Sequence, residues 1–172
     1  MRILRRRDLI LFGVAAVVLV ADQASKGWVR ANLEPGVPWT PVPCLRPVLS
    51  LTYVTNTGAA FGLFPQLGSL YALNAIVVIA AILYFHRKLV TNPPLVWISL
   101  GLQLGGAIGN LVDRLLHQWR VTDFIDLNFW PLHEWPVFNP ADSSVVVGVC
   151  ILAVYLLFQG ESVGAASPPA QE

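Results

Sequence analysis

Four long stretches of this chain carry no charged side chains, and they constrain the fold more than any other feature of the sequence. They cover residues 9–21, 66–85, 95–112 and 143–160. A helix of about 20 apolar residues crosses roughly 30 Å of hydrocarbon. Only 12% of the residues are charged, whereas a soluble domain carries about 25%. The sequence therefore predicts a membrane protein with four spanning helices.

The first stretch admits two interpretations, because it stops at Asp22. Arginines before an apolar run and a small residue at its end, Ala21, are typical of a secretory signal peptide. If the helix instead continues to about Val29, it is long enough to span a membrane, with Asp22 toward its far end. We favour a spanning helix, because cleavage would leave a three-span protein that begins at a charged residue.

The distribution of basic residues predicts the orientation of the helices. Cytoplasmic ends of spanning helices carry an excess of Lys and Arg, and such residues occur at 2–7 and at His86–Lys88. We therefore expect both termini in the cytoplasm and the two longer loops, about 30–65 and 117–141, on the outer side. The net charge of +1 gives no indication of a nucleic-acid partner.

The predicted fold is an all-α polytopic membrane protein, a single integral membrane domain of residues 1–172. The four spans are expected at about 9–29, 66–85, 95–115 and 142–160. Apolar and polar residues alternate over Leu49–Val54, which is the period of a strand, so we expect a small extramembrane β element on the outer side. The polar tail 161–172 is predicted to be disordered. Two cysteines, Cys44 and Cys150, exclude a disulfide-framed scaffold.

Polar side chains gather at the outer end of the predicted bundle, although ionisable groups cost several kcal/mol at membrane depth. The side chains concerned are Asp22, Asn56, Asn110, Asp113, Arg114, Asp123, Asp126, Asn139 and Asp142. The sequence places no comparable set at the cytoplasmic end. This clustering indicates a functional site near the outer surface of the membrane.

The third span has the pattern expected for a wall of this site. Its polar and small residues recur at i+3 and i+4 and form one stripe: Gln103, Gly106, Asn110 and Asp113 or Arg114. Three glycines repeat every four residues, which lets a neighbouring helix approach closely: Gly101, Gly105 and Gly109. As an alternative, Asn110 and Asp113 only join helices, with Arg114 neutralising Asp113.

Asp123 and Asp142 are candidates for acid–base chemistry, because each lies where a spanning helix meets the outer surface. Two carboxylates brought together in a partly dry site share a proton. One can take a proton from water as the water attacks a carbonyl, while the other protonates the carbonyl oxygen or the leaving amine. Their spacing leaves open the alternative that they only pair with Arg114 and Arg120.

Other chemistries have weaker support in the sequence. A metal site could draw on His117, Asp123, Asp126, His133 and Glu134, but no two of the histidines have helical ligand spacing. Ser143 and Ser144 begin a helix, and Cys150 has no histidine near it, so none of them is a convincing nucleophile. The non-enzymatic alternative is a scaffold or transporter subunit. A transporter, however, places its polar groups near the bilayer midplane.

Five segments, in order, resemble the lipoprotein signal peptidase family, which consists of membrane aspartic peptidases and is also called signal peptidase II. They are Asp22–Lys26, Asn56–Gly62, Gly105–Arg114, Val121–Asp126 and Phe138–Ser143. The resemblance extends from the first span to the fourth. It implies an endopeptidase that removes the signal peptide from diacylglyceryl-modified bacterial prolipoproteins, cutting immediately before the lipidated cysteine.

The resemblance also implies roles for individual residues. Asp123 and Asp142 would be the catalytic pair. Residues that support the pair or hold the substrate would be Asn56, Asn110, Arg114, Asn139, Asp22 and Asp113. Segment 56–62 contains small residues, and we expect it to move over the substrate as a lid.

Further expectations concern partners and location. The resemblance implies no metal or organic cofactor, membrane lipid as a partner, globomycin-type cyclic peptides as inhibitors and a monomeric enzyme. It places the chain in the bacterial inner membrane, with the active site near the outer, periplasmic face.

Overall fold

The computed structural model describes residues 5–57, 68–89 and 93–164. Within these ranges, four helices are long and apolar enough to cross a membrane. They are α1 (Arg6–Asn32), α2 (Gly68–Lys88), α3 (Pro94–Leu116) and α4 (Pro140–Gly164). The predicted architecture of four membrane helices with a small sheet is confirmed.

Two predictions, the disordered tail and the lid, concern segments that the structure describes only in part. The α4 helix continues to Gly164, into the segment predicted to be disordered, because no proline interrupts its backbone hydrogen bonds after Pro140. The remainder of that tail lies outside the described residues. So does most of the predicted lid, from Gly58 to Gly62.

The α1 helix runs without a break through Asp22, as the spanning interpretation requires. Lys26 lies one turn further along the helix, and its Nζ is 2.9 Å from Asp22 Oδ2. Both side chains are fully buried. The pair brings opposite charges together at a buried position of α1, which lowers the cost of burying either of them.

The α3 helix lies at the centre of the bundle and packs against α1, α2 and α4. Away from the polar end, its Trp97 and Leu104 join Leu11 of α1 and Ile82 of α2 in one apolar core. Dispersion contacts of this kind hold membrane helices together, since lipid tails are as apolar as the side chains themselves.

Glycines allow α3 to approach both of its main neighbours. A Cβ atom on Gly101 or Gly105 would lie 2.7 Å or 2.6 Å from a backbone oxygen of α1. On Gly109 it would lie 2.5 Å from Asp22 Oδ2. The predicted close helix packing along this repeat is confirmed. Gly106 faces α4 instead, where a Cβ would lie 2.4 Å from the backbone oxygen of Ala141.

Gly106→Ala is expected to lower the free energy of unfolding by about 1–3 kcal/mol, the range for overpacked sites. The backbone of α4 cannot rotate away as a flexible side chain could. Gly27→Ala is the matched control, because nothing lies within 4 Å of the Cβ position at Gly27, and alanine favours a helix over glycine. Thermal unfolding in detergent measures both variants. Equal melting temperatures would contradict the close α3–α4 contact.

A three-stranded antiparallel sheet covers one end of the bundle. It consists of β1 (Pro38–Trp39), β2 (Leu49–Asn56) and β3 (Val121–Leu127), with β2 in the middle. The first two strands belong to the connection between α1 and α2, and β3 belongs to the connection between α3 and α4. Because β2 pairs with β3, both connections lie at the same end of the bundle.

Candidate active site

The sheet brings polar residues of four elements together. Asn110 and Arg114 lie in the last two turns of α3, and Asp142 lies in the first turn of α4. Asp123 lies on β3, and Asn56 ends β2. All five side chains line one cavity of about 580 Å³.

The start of α4 holds Asp142 in a fixed position. Asn139 precedes the helix, and its Oδ1 accepts a hydrogen bond from the backbone N–H of Asp142 at 2.9 Å. In return, the backbone N–H of Asn139 donates to Asp142 Oδ2 at 3.3 Å. This reciprocal pair is a capping box, and Pro140 occupies the first helical position, where proline is favoured. Local sequence therefore sets the position of one carboxylate.

Two asparagine amides connect the two carboxylates. Asn139 Nδ2 donates to Asp123 Oδ1 at 2.6 Å and to Asn110 Oδ1 at 3.2 Å. Asn110 Nδ2 in turn donates to Asp142 Oδ1 at 2.7 Å. Asn139 is fully buried, and its side-chain hydrogen bonds join α3, β3 and α4. It does not itself line the cavity.

Burial and a neighbouring charge perturb Asp123, which is 3% exposed. Burial, followed by the charge of Asp142, raises the pKa of the Asp123 carboxyl to about 7. Hydrogen bonds from Asn139 and Asn56 oppose that rise. A carboxyl with this pKa can hold or release a proton near neutral pH, which is what a general acid or base requires.

The cavity combines this polar end with an apolar wall. The wall is formed mainly by the β3–α4 connection and by α4, including Leu132, Trp135, Val137, Phe138, Val146 and Val147. Val146 and Val147 are also 61% and 50% exposed on the outside of the bundle. The cavity therefore borders a face of α4 that lipid would cover.

Asp22 and Asp113 lie behind the cavity and not in its lining. Both are 0% exposed. Asp22 Oδ1 accepts a hydrogen bond from the backbone N–H of Ala141 at 3.1 Å, which ties α1 to the start of α4. Asp113 Oδ2 accepts from the backbone N–H of Thr122 at 2.8 Å, which ties α3 to β3. These two aspartates therefore help to position β3 and α4, the elements that carry Asp123 and Asp142.

Sequence reasoning missed the residues that balance these buried charges. Lys26 Nζ lies 3.6 Å from Asp113 Oδ2, and Arg30 Nη1 lies 3.4 Å from Asp113 Oδ1. Gln23 Nε2 donates to both Asp22 and Asp113. The four-residue spacing of Asp22, Lys26 and Arg30 could have indicated one charged helix face.

Arg114 does not neutralise Asp113, as one alternative supposed. Its Nη1 donates to the backbone oxygen of Asn110 at 3.2 Å, and its guanidinium lies 5.8 Å from the centre of the Tyr71 ring. Arg120 is exposed. Across the ranges that the structure describes, neither Asp123 nor Asp142 forms an ion pair with an arginine. The direct ion pairs that this alternative supposed are therefore absent from the described part of the chain, although the charge of Arg114, which lines the same cavity, still acts on Asp142 and Asp123.

Asp126, the other aspartate of β3, has different partners. It is three residues from Asp123, so the two side chains leave opposite faces of the strand. Its Oδ2 accepts hydrogen bonds from Thr52 at 2.6 Å and from Ser50 at 3.4 Å. It does not line the cavity. Among the residues described, no three His, Cys, Asp or Glu side chains are grouped closely enough to hold a metal ion.

The residues considered as nucleophiles, Ser143, Ser144 and Cys150, all lie in helix α4. Ser143 and Ser144 donate their hydroxyl hydrogens to backbone oxygens one turn earlier, at Asn139 and Pro140. Cys150 is exposed.

Fold and site together define the class: an integral membrane protein with paired carboxylates in one cavity, the kind of site that aspartic peptidases use. The chain belongs to the signal peptidase II family. The sequence profile described as signal peptidase (SPase) II matches residues 14–158. The resemblance found in the five sequence segments is thereby confirmed, and the protein is a peptidase.

Relatives and solved structures agree with this assignment. The chain is 40% identical over 149 residues to the lipoprotein signal peptidase of Pelotomaculum thermopropionicum, covering 87% of this chain and 92% of the relative. It is 42% identical over 144 residues to that of Moorella thermoacetica, covering 84% and 90%.

Two bacterial membrane enzymes solved by the in meso method have similar folds. The structure at 2.3 Å resolution has a TM-score of 0.78 and 28% identity, and the alignment covers 92% of both chains. The structure at 1.9 Å has a TM-score of 0.74 and 30% identity, over 84% of this chain and 90% of the other.

Proposed function

We propose that Asp123 and Asp142 are the catalytic dyad with which this signal peptidase removes the signal peptide from prolipoproteins. One observation carries the proposal: the buried carboxylate of Asp123 and the partly buried carboxylate of Asp142 line the same cavity and are joined through the amides of Asn139 and Asn110. The network fixes both carboxylates, and among the described residues no arginine or lysine forms an ion pair with either one. Their acid–base function is therefore not blocked by an ion pair.

The surroundings of the two carboxylates suggest different roles for them. Asp142 lies at the N-terminus of α4, where the helix dipole favours a negative charge. It also accepts N–H hydrogens from Asn110 and Asn139. Asp123 has a pKa of about 7, so it holds a proton readily. We therefore assign Asp142 as the ionised base and Asp123 as the protonated acid, while the two titrate as one coupled pair.

The proposed reaction needs only water and this shared proton. Asp142 takes a proton from water as the water oxygen bonds to the scissile carbonyl carbon, and Asp123 protonates the carbonyl oxygen. The resulting diol intermediate carries no net charge. In the second step a proton passes from Asp142 to the leaving nitrogen, the C–N bond breaks, and a diol hydroxyl returns its proton to Asp123. Both carboxyl groups end in their starting states.

The apolar wall supports a lipid-modified substrate. Its surface, which includes Val146 and Val147, continues onto the lipid-facing side of α4. A diacylglyceryl group could therefore stay in the membrane while the adjacent peptide bond reaches the dyad. This supports cleavage immediately before the lipidated cysteine. On the same reasoning, globomycin-type cyclic peptides would compete for this cavity.

The location proposed for the protein is the bacterial inner membrane, with the site near its outer face. The basic residues Arg5–Arg7 lie at the start of α1, where Arg5 is the N-cap, and Arg87 and Lys88 end α2. Both groups lie at the end of the bundle opposite the sheet. Because such residues favour the cytoplasm, the sheet and the cavity would face outward. We propose that one copy of the chain is sufficient for activity, since one chain supplies both carboxylates.

A cleavage assay tests the proposed substrate. Purified protein in detergent is given a prolipoprotein with the diacylglyceryl group and, in parallel, the same prolipoprotein without it. We expect cleavage of the lipidated form alone, at the bond before the modified cysteine. Equal cleavage of both forms would show that the apolar wall does not select a lipid.

We expect kcat/KM to fall as pH rises above about 7, because the shared proton is then lost from Asp123, whose pKa is about 7. Measuring the initial rate of cleavage between pH 5 and 9 tests this. A return to full activity when the pH is brought back to 6 separates titration from unfolding. A rate that stays constant up to pH 9 would contradict the assignment of Asp123 as the acid.

The same titration affects stability. The pKa of Asp123 is about 7 in the folded protein, against an ordinary value of 3.8, so the folded state binds the proton more tightly than the unfolded state does. The free energy of unfolding should therefore decrease as pH rises from about 4 to 7. In Asp123→Asn this contribution is absent, so the variant should lose less stability over that pH range.

A further inference from the structure

Lys26 is a buried cation with more partners than charge balance requires. Its side chain is 0% exposed, and Nζ lies 2.9 Å from Asp22 Oδ2 and 3.6 Å from Asp113 Oδ2. Arg30 also pairs with Asp113. Two carboxylates therefore already neutralise the two cations. Lys26 nevertheless makes a third contact, donating to Asn110 Oδ1 at 2.9 Å.

This third contact determines which way the Asn110 amide points. The oxygen and nitrogen of an asparagine amide have nearly the same size, so shape alone does not distinguish the two orientations. A lysine ammonium only donates hydrogen bonds. Lys26 must therefore face the oxygen of Asn110, which leaves the NH₂ group directed at Asp142. Asn139 Nδ2 adds a second, longer donor to the same oxygen, at 3.2 Å.

The orientation matters for the proposed base. With the NH₂ group toward Asp142, the 2.7 Å contact favours the ionised carboxylate. If the amide turned over, its oxygen would face Asp142, and only a protonated carboxyl could form the bond. A protonated Asp142 cannot take a proton from water. A reversed amide would thus produce an inactive dyad without moving either aspartate.

The geometry points to Lys26 as a positioning residue, which orients the Asn110 amide so that Asp142 stays ionised for catalysis. Lys26 itself does not line the cavity. The inference rests on the proposed role of Asp142 as the base. The new element is that Lys26, a cation on α1 outside the cavity, keeps the proposed dyad in the form in which Asp142 is ionised.

A double-mutant cycle between Lys26 and Asn110 tests this inference. Lys26→Met is made together with Asp22→Asn, because that change keeps the charge balance and preserves an acceptor for the backbone N–H of Ala141. In this background we expect Lys26→Met to lower kcat roughly 10- to 100-fold, by analogy with the loss of an outer-shell partner that orients a metal ligand. KM should be unchanged, since Lys26 does not touch the substrate.

The same change should have no further effect on kcat once Asn110 is alanine, because no amide remains to be oriented. A merely structural lysine would give an equal loss in both backgrounds, and that result would overturn the inference. Leu11→Ala is the control for instability, since Leu11 is buried in the core cluster away from the site. It should lower stability by about 2–5 kcal/mol and leave kcat nearly unchanged.

A second measurement does not depend on activity. In protein labelled with ¹⁵N at asparagine, the side-chain signal of Asn110 is the one that disappears in Asn110→Ala. We expect one sharp NH₂ signal in the Asp22→Asn background and a shifted or doubled signal when Lys26→Met is added. An identical signal in both would overturn the inference. Full cleavage by Asp142→Asn would refute the proposed dyad instead, so the two failures can be told apart.

Discussion

Asp142→Asn and Asp123→Asn should each reduce cleavage of a lipidated prolipoprotein by roughly 10⁴-fold, the scale of losing one member of a catalytic unit. An amide has nearly the shape of a carboxylate but neither accepts nor releases the proton that the reaction needs. The substitutions should leave the fold intact. At position 142, an amide oxygen can still accept from Asn139 and complete the capping box.

The assay compares initial rates of the gel shift from precursor to mature lipoprotein, using protein whose melting temperature has been measured. Asp126→Asn is the matched control, because Asp126 lies on the same strand as Asp123 but bonds to Thr52 and Ser50. It should retain most of the activity. If Asp123→Asn remained active while Asp126→Asn did not, the acid would have to be reassigned to Asp126.

The second large effect should be on stability. Asp113→Ala is expected to lower the free energy of unfolding by about 3–5 kcal/mol, the cost of removing one partner from a buried ion pair. Asp113 is completely buried and bonds to the backbone of Thr122. Its removal leaves an unpaired buried N–H and takes one carboxylate away from Lys26 and Arg30. The change also weakens the attachment of α3 to β3, the strand that carries Asp123.

Thermal unfolding in detergent, at a fixed detergent concentration, measures this loss. Asp8→Ala is the control, because the Asp8 side chain is 20% exposed and pairs with Arg7 at 3.5 Å. Asp8 also accepts a hydrogen bond from the backbone N–H of Arg5 at 3.3 Å, so losing this partly exposed pair and helix cap should cost about 0.5–2 kcal/mol. The stability loss of Asp113→Asn should lie between those of Asp113→Ala and Asp8→Ala, since the amide oxygen still accepts a hydrogen bond from the backbone N–H of Thr122. If Asp113→Ala were as stable as Asp8→Ala, the buried network would not hold the sheet to the bundle.

Together, the two predictions distinguish the proposed catalytic role of Asp142 from the structural role of Asp113. Asp142→Asn should be folded and inactive, whereas the fraction of Asp113→Ala that remains folded should still cleave substrate. Both aspartates are close in sequence to other polar residues of the site. Only the contacts show that Asp142 faces the cavity while Asp113 faces α1 and β3.

Much of the fold follows from local sequence. Uncharged stretches of membrane length predict the helices, because no polar backbone can be left unpaired in hydrocarbon. The period of two after Leu49 predicts a strand, and β2 begins there. The reciprocal hydrogen bonds between Asn139 and Asp142 could also have been predicted from the local sequence, since the spacing of the two residues is that of a capping box.

The sequence by itself determined the four membrane helices, the small sheet and the end of the bundle at which polar residues collect. These depend on hydropathy and on short-range spacing, which are properties of neighbouring residues. Only the tertiary structure decided which carboxylate faces which partner. Asp22 and Asp113 turn toward Lys26 and Arg30 because buried charges must be paired. Within the part of the chain that the structure describes, Asp123 and Asp142 are held by two asparagine amides and not by a direct ion pair, and those contacts join residues from two helices and a strand.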